Sequence, residues 1–426
     1  MLFCNITLLN GDFEIEKDRY VGVKGSLIEY IGKERPDGEF GEEFDGRNKL
    51  LMPAFVNSHS HIPMTLMRGY GENLSLHDWL HDRIFPFEAK LSEDDVYRGT
   101  LLGIAEMIRF GIVSTTDMYF HCESIARAFC ETGVKCNLSL GVTDDGTKSY
   151  YDLPGFDKNS RLISGFHGSC DGRIKVDMSL HAEYTSSPGV VREVAAFAKE
   201  NGLNLHIHLS ETRAEHEGCI ERRGGMTPTA YFESLGVLEN RVTAAHCVWV
   251  EEEDMDILKR NNVTVASCPT SNLKLASGIS DVPGLIKKGV NVAVGTDSVA
   301  SNNNLNMIEE IKLFCLLGKV KDYDPTAVTP AEGLMAATLN GAVGQGRADT
   351  GKIEAGKRAD LIAIDIDKPY MYPAYDLLSN LVYAAAGTDV CLTMSDGKVL
   401  YRDGEYTTLD IEKLLHSGRE YTARYR

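Results

Sequence analysis

"VNSHSHIPM", Val56 to Met64, sets two imidazoles on either side of a single serine, directly after the apolar run Leu50–Phe55. Alternate residues of an extended strand share a face, so His59 and His61 point the same way and Ser60 points the other way. Two of the chain's 12 histidines therefore look toward one place. Pro63 and Met64, just past the strand, begin a loop. What else reaches that place decides the fold.

Downstream, strand-like and helix-like stretches alternate. Ser92 caps "SEDDVYRGTLLGIAEMIRFG", which has acids in its first turn and stops at Gly111. The strand "GIVSTTDMYF" follows. Then come the helix "GVVREVAAFAKENG" and the strand "LNLHIHLSE", the strand "NRVTAAHCV" and the helix "EEEDMDILKRNN". The strand "VTVASCP", the short helix "VPGLIKKG", the strand "VNVAVGTDS" and the helix "LNMIEEIKLFCLLGK" complete the series. Such alternation implies parallel strands with crossover helices. The number of units fits a closed (β/α)8 barrel over residues 53–344. Residues 143–173 read as a long loop rich in Gly, Asp and Ser. The two ends read differently, as short strands with turn signals such as "DGK" and "DGE". Residues 1–52 and 345–426 are therefore expected to pair into one small composite β-sandwich domain.

A parallel barrel presents the carboxyl ends of its strands on one face, where its chemistry sits. His59 and His61 end one strand, and His181 follows "KVDMSL". His206 and His208 lie in "LNLHIHLSE", with Glu211 just beyond. His246 ends "RVTAAH", and Asp297 ends "VNVAVGT". One histidine at a strand end is ordinarily a hydrogen-bonded core or surface residue, and one H-x-H pair is weak. Together, His59, His61, His208 and Asp297 supply three neutral nitrogens and a carboxylate oxygen. That set suits one zinc or another borderline divalent metal and leaves room for a water. His208 is preferred to His206 because it lies nearer the strand end, and His206 is expected deeper in the interior.

Other motifs fail. "HAE" at His181–Glu183 is half of a cytidine-deaminase signature without its P-C-x-x-C partner. "GRADTGKI" approaches a phosphate loop but has Ile353 where Ser or Thr should bind magnesium, so it reads as a turn. There is no H-E-x-x-H and no G-x-S-x-G.

The 426 residues carry a formal charge of -18, which disfavours a nucleic-acid partner. No apolar run is long enough to span a bilayer, and the N-terminus lacks the form of a signal peptide. The ten cysteines are scattered from Cys4 to Cys391 without a C-x-x-C pair. Most are expected to be small buried residues in a reducing cytoplasm, without a disulfide framework.

The segments "PAFVNSHSHIPMTLMRG", "HIHLSET", "TAAHCV" and "VGTDSVASNNNLNMIEEI" resemble the amidohydrolase superfamily. "DWLHDRIFPFEAKL", "DMYFH" and "NLKLASGI" look like its methylthioadenosine/S-adenosylhomocysteine deaminase branch. The resemblance covers nearly the whole chain. It implies a TIM-like metal-dependent hydrolase barrel with a β-sandwich from both termini, and one divalent metal, usually zinc, on His59, His61, His208 and Asp297. It implies that Glu211 and His246 flank the reacting centre, with Asp297 also acting in catalysis. Glu88 matches the residue that holds ribose hydroxyls, His181 another substrate-binding residue, and Trp79 an aromatic near the substrate. The implied reaction is hydrolytic deamination of an adenosine-type nucleoside: methylthioadenosine, S-adenosylhomocysteine, 5'-deoxyadenosine or adenosine. The alternative within the superfamily is another cyclic amidine, such as guanine, 8-oxoguanine, cytosine or a triazine. Members that accept an amino-acid tail place arginines in the long loop, where this chain has Lys148, Lys158 and Arg161. The expected partner is thus a small nucleoside, with no nucleic acid and no membrane, and a homo-oligomer is left open.

Overall fold

Phe55–Ser60, the strand that ends in His59 and Ser60, is buried at every position. In the computed structural model, which describes residues 1–425, it is the first strand of a barrel. We call it β1. It is followed by β2 (Ile112–Met118), β3 (Lys135–Ser139, continued by Gly141–Val142), β4 (Ile174–Val176, continued by Met178–Leu180) and β5 (Leu205–Leu209). Then come β6 (Val242–His246), β7 (Thr264–Ser267) and β8 (Asn291–Val294). Leu140 and Asp177 interrupt β3 and β4, whose two halves continue in line. Each strand pairs in parallel with the next. The ring closes where a parallel bridge joins Ser60 to Asp297 and the Asp297 N–H donates to the His59 carbonyl at 3.0 Å.

Closure has a sequence cause. A side chain at Gly295 would put its Cβ 2.7 Å from the His59 nitrogen and 2.9 Å from the His59 Cβ. Only glycine lets the eighth strand approach the first this closely. Asn57 pins the seam: its Nδ2 donates to Thr296 Oγ1 at 2.7 Å, and its Oδ1 accepts from the Thr296 N–H at 2.9 Å.

The helices form as their capping residues dictate. Ser92 and Asp95 make a reciprocal capping box that starts Glu93–Arg109, which ends before Gly111 at φ +81°. The expected loop at 143–173 is instead largely helical, with a 13-residue helix, Pro154–Phe166, as the third crossover. Pro154 opens it, and Phe156, Ile163 and Phe166 pack on the core beside buried Leu162. Its polar composition hides this spaced apolar stripe.

Five strands from the N-terminal end, Leu2–Leu9 to Lys49–Pro53, and four from the C-terminal end, Leu361–Asp365 to Glu405–Tyr406, share one nine-stranded sheet. Lys49–Pro53 pairs antiparallel with Leu361–Asp365 and leads directly into β1. This sheet has its own core, including Phe3, Ile6, Phe44, Leu361 and Met394. The last helix, Ile411–Tyr425, packs instead on Glu93–Arg109 of the barrel.

Sheet and barrel are stitched together at the amino ends of the strands. Buried Lys135, opening β3, reaches Asp360 at 2.5 Å and Asp396 at 3.0 Å. Buried Arg347 donates to Asn137 Oδ1 and to the carbonyls of Cys136, Gly172 and Arg173.

The cysteines correct one expectation. Cys130 and Cys170, 40 residues apart in sequence, form a disulfide with Cα atoms 5.7 Å apart. Their spacing carries no sign of this, because the fold, and not the local sequence, brings helix Cys122–Thr132 to the turn at Ser169–Gly172. The other eight are thiols, seven of them buried. No helix among the described residues is long and apolar enough to cross a membrane.

Candidate active site and metal centre

The strand ends deliver the expected residues to one mouth. His59 is fully buried at the floor. Above it a single cavity is lined by His61, His181, His208, Glu211, His246 and Asp297, with Glu88 and Trp79 on its roof and wall. Ser60 turns away as alternation requires, with its hydroxyl 2.7 Å from Thr115 Oγ1 on β2.

Three imidazoles are held from behind. His59 Nδ1 lies 2.8 Å from His206 Nε2, His61 Nδ1 lies 2.5 Å from the Met118 carbonyl, and His208 Nδ1 lies 2.7 Å from the His181 carbonyl. Each contact occupies the rear nitrogen and turns Nε2 inward. Asp297 Oδ1 lies 3.4 Å from both His59 Nε2 and His61 Nε2, and His208 Nε2 lies 3.4 Å from His61 Nε2. Asp297 Oδ2 accepts from Ser271 Oγ at 2.5 Å and Ser301 Oγ at 3.0 Å, so Oδ1 is the free oxygen.

The donor set fits a divalent metal. His59 Nε2 is buried without a hydrogen-bond partner among the described residues, a costly arrangement for a lone pair that nothing uses. Burial pushes His59 down to about 3 and His208 well below the ordinary imidazole value, so both are neutral. Burial pushes Asp297 up, but the imidazoles around it, His59 first and then His61 and His246, hold it well below the usual carboxylate range. Neutral nitrogens and an ionised oxygen are what such an ion requires. Four ligating atoms do not form one tight cluster. His59, His61 and Asp297 make one close group, and His59, His208 and His246 make another. His59 belongs to both. His206, at the rear of His59, lies deeper, as expected, and is fully buried.

Beside this centre, Glu211 Oε2 lies 3.7 Å from His246 Nε2. Burial raises the Glu211 carboxyl, helped by the Asp297 charge and opposed by His246. Asn272 Oδ1 accepts from His246 Nδ1 at 2.9 Å, leaving Nε2 toward Glu211. For His246, burial favours the neutral ring, but Glu211, Asp297 and Asn272 outweigh it and raise the ring above its ordinary value. His181 is pushed down to about 4, mainly by burial, and its Nδ1 has no partner among the described residues.

Convergence on one mouth strains the backbone. Ser210, His246 and Asp297 all have left-handed φ, at +47°, +71° and +58°. Each costs on the order of 1–3 kcal/mol in a residue other than glycine, and such strain gathers at functional sites.

The roof is the segment Leu76–Glu88, an unbroken helical run whose middle, Trp79–Ile84, is π-helical. It contributes Leu76, Trp79, Leu80, Ile84, Phe85 and Glu88 to the cavity. Trp79 is buried, and Glu88 is half-buried with its carboxyl raised by burial. With Met64, Met118, Phe120 and Leu140, most of the wall is apolar. A flat heterocycle suits such a slot, with the polar cluster at its floor.

Several supporting residues are not evident in the sequence. Glu215 accepts from the N–H groups of Ser210 and Glu211 at 2.9 and 2.8 Å and so fixes the Glu211 turn. Its one local signal is the T-x-x-E spacing, since Thr212 caps the helix through the Glu215 N–H. Asn272, Ser271 and Ser301 have no comparable local signature.

Residues 50–400 match the model of the Amidohydrolase family. The chain is 40% identical over 420 residues to a 5-methylthioadenosine/S-adenosylhomocysteine deaminase of Thermoanaerobacter pseudethanolicus, covering 98% of this chain and 97% of that protein. It is 42% identical over 402 residues to a 5'-deoxyadenosine deaminase of Methanothermobacter thermautotrophicus, covering 94% and 91%. A crystal structure of an adenosine deaminase from Xanthomonas campestris with bound zinc superposes with a TM-score of 0.92 at 30% identity, covering 99% of this chain and 98% of that one.

Proposed function

This chain belongs to the amidohydrolase family, and from that premise we propose that it is a metal-dependent hydrolase that deaminates adenosine-type nucleosides to the inosine analogue and ammonia. The observation that carries the reading is one cavity that joins inward-facing imidazoles and Asp297 at its floor to the Glu211–His246 pair, beneath an apolar slot with Glu88 at its roof. The relatives named for 5'-modified adenosines, aligned over nearly the full length, favour a nucleoside over a free base.

His59, His61, His208 and Asp297 would hold the metal, zinc by the donor set. When bound, it brings the pKa of a water toward neutrality. The rest of the chemistry belongs to the side chains. Deamination adds water at C6 and expels the amino group as ammonia, so two water protons have to travel. Glu211, with its carboxyl raised, delivers one to the ring nitrogen next to C6. Asp297 takes the other from the attacking water and passes it to the departing nitrogen. His246 Nε2 orients the water and stabilises the charge that develops on its oxygen. Glu215 holds the Glu211 backbone in place. Glu88 accepts from the sugar hydroxyls, His181 contacts the base, and Trp79 forms part of the slot that excludes water. The enzyme would act in the cytoplasm.

A substrate panel tests the reading. The ultraviolet change from adenine to hypoxanthine is followed with adenosine, 5'-deoxyadenosine, methylthioadenosine, S-adenosylhomocysteine and free adenine, and ammonia release is measured with guanine and a triazine. Turnover of one or more adenosine-type nucleosides well above all free bases supports it. Activity confined to a free base or triazine overturns it.

A further inference from the structure

One buried polar group at the cavity wall is used by neither the metal centre nor the proton transfers. Tyr119, immediately after β2, is only 7% exposed. Its backbone is pinned, because its N–H donates to the Ser139 carbonyl at 3.0 Å and its carbonyl accepts from Cys122 Sγ at 3.3 Å. Its ring stacks on Phe120 with centroids 4.3 Å apart. The side chain therefore has little freedom, and Tyr119 lines the same cavity as Glu88. Its hydroxyl is buried without a well-formed hydrogen bond to any described residue. Leaving a buried hydroxyl unsatisfied costs on the order of 1–3 kcal/mol, a cost removed when a ligand supplies the partner.

Burial pushes the Glu88 carboxyl up and the Tyr119 hydroxyl partly restrains it. Burial and the Glu88 charge together push the phenol up, so it keeps its proton. A carboxylate only accepts and a phenol can donate, so the two form a complementary pair. We propose that Tyr119 is a specificity-determining residue that, with Glu88, grips a cis-diol of the substrate sugar at two points. Glu88 accepts from one or both hydroxyls, and Tyr119 donates to the oxygen of one of them. This inference rests on the nucleoside reading above and extends it from the base to the sugar.

The test is Tyr119→Phe, which removes one oxygen, assayed on adenosine, 2'-deoxyadenosine and 3'-deoxyadenosine beside free adenine. One neutral hydrogen bond corresponds to a change of about five- to tenfold. The expected result is a rise of about that factor in KM for adenosine with kcat within about twofold. The deoxy analogue lacking the gripped hydroxyl should be unaffected, so the preference for ribose shrinks by the same factor. The unmodified protein supplies a second arm, because it should discriminate against that analogue by at least the same factor. An equal loss on all three nucleosides would mark a merely structural residue and overturn the proposal. So would an undiminished ribose preference in Tyr119→Phe. Wild-type turnover of free adenine above every nucleoside would overturn the nucleoside reading itself, and this inference with it.

Discussion

The two ends of the barrel bury charge in opposite ways. At the amino ends of the strands, Lys135 lies between Asp360 and Asp396, and Arg347 commits its guanidinium to Asn137 and three carbonyls. At the carboxyl ends, His59 Nε2 and His181 Nδ1 have no hydrogen-bond partner among the described residues, and Glu211 and Glu215 carry carboxyls raised by burial. The lower end pairs its charges with one another, Lys135 with Asp360 and Asp396 and Arg358 with Asp396, even though the second carboxylate oxygen of each aspartate has no hydrogen-bond partner among the described residues. The upper end leaves groups unsatisfied, and there the proposed metal and substrate would supply the missing partners. A parallel barrel divides its labour in this way because loops at the carboxyl end can vary while the packed floor cannot.

The contrast breaks most sharply at Glu211. Glu211→Gln should lower turnover about 10³-fold while keeping the metal and melting within a few degrees of wild type, since it removes a proton donor and leaves its shape. Deamination near the wild-type rate would remove Glu211 from its assigned role. The converse holds at the floor. Lys135→Met leaves Asp360 and Asp396 without their shared cation, and denaturant unfolding should show a loss of about 3–5 kcal/mol. Turnover per folded molecule should stay within about twofold. A large fall in kcat without loss of stability would show that the floor takes part in chemistry.

Legibility in the sequence follows the same division. The residues that face the cavity stand at the ends of strand-like runs, so the alternation of strands and helices alone assigns His59, His61, His208, His246 and Asp297 to one face. The choice of His208 over His206 also follows from distance to the strand end. The residues that hold them carry no such signal. Ser271 and Ser301 reach Asp297, Asn272 reaches His246, and Asn57 reaches Thr296, each through a contact that only the closed barrel creates. Helix Pro154–Phe166 reads as a loop because its surface is polar, and the Cys130–Cys170 pair is silent because nothing local links the two.

A smaller effect sharpens the comparison at the rear of the mouth. Glu310 is fully buried, accepts from the Thr270 N–H and from Asn302 Nδ2, and is pushed by burial from an ordinary 4.5 up to about 7. A carboxyl raised on folding stabilises the fold relative to its ionised form below its unfolded pKa. That advantage is lost as pH rises through the folded value. Between pH 4.5 and about 7 the group should thus withdraw on the order of 3 kcal/mol at most. Denaturant unfolding of Glu310→Gln across this window should show a flatter pH dependence than wild type. Identical slopes would mean that Glu310 ionises in place without cost.

The central claim is that the inward-facing nitrogens of His59, His61 and His208, with Asp297, form the ligand set of a metal on which turnover depends. Elemental analysis of purified protein, paired with a deamination assay before and after chelation, tests it directly. The expected result is about one divalent metal per chain, loss of turnover on chelation and recovery on adding zinc. Fully active protein that contains no metal would contradict it.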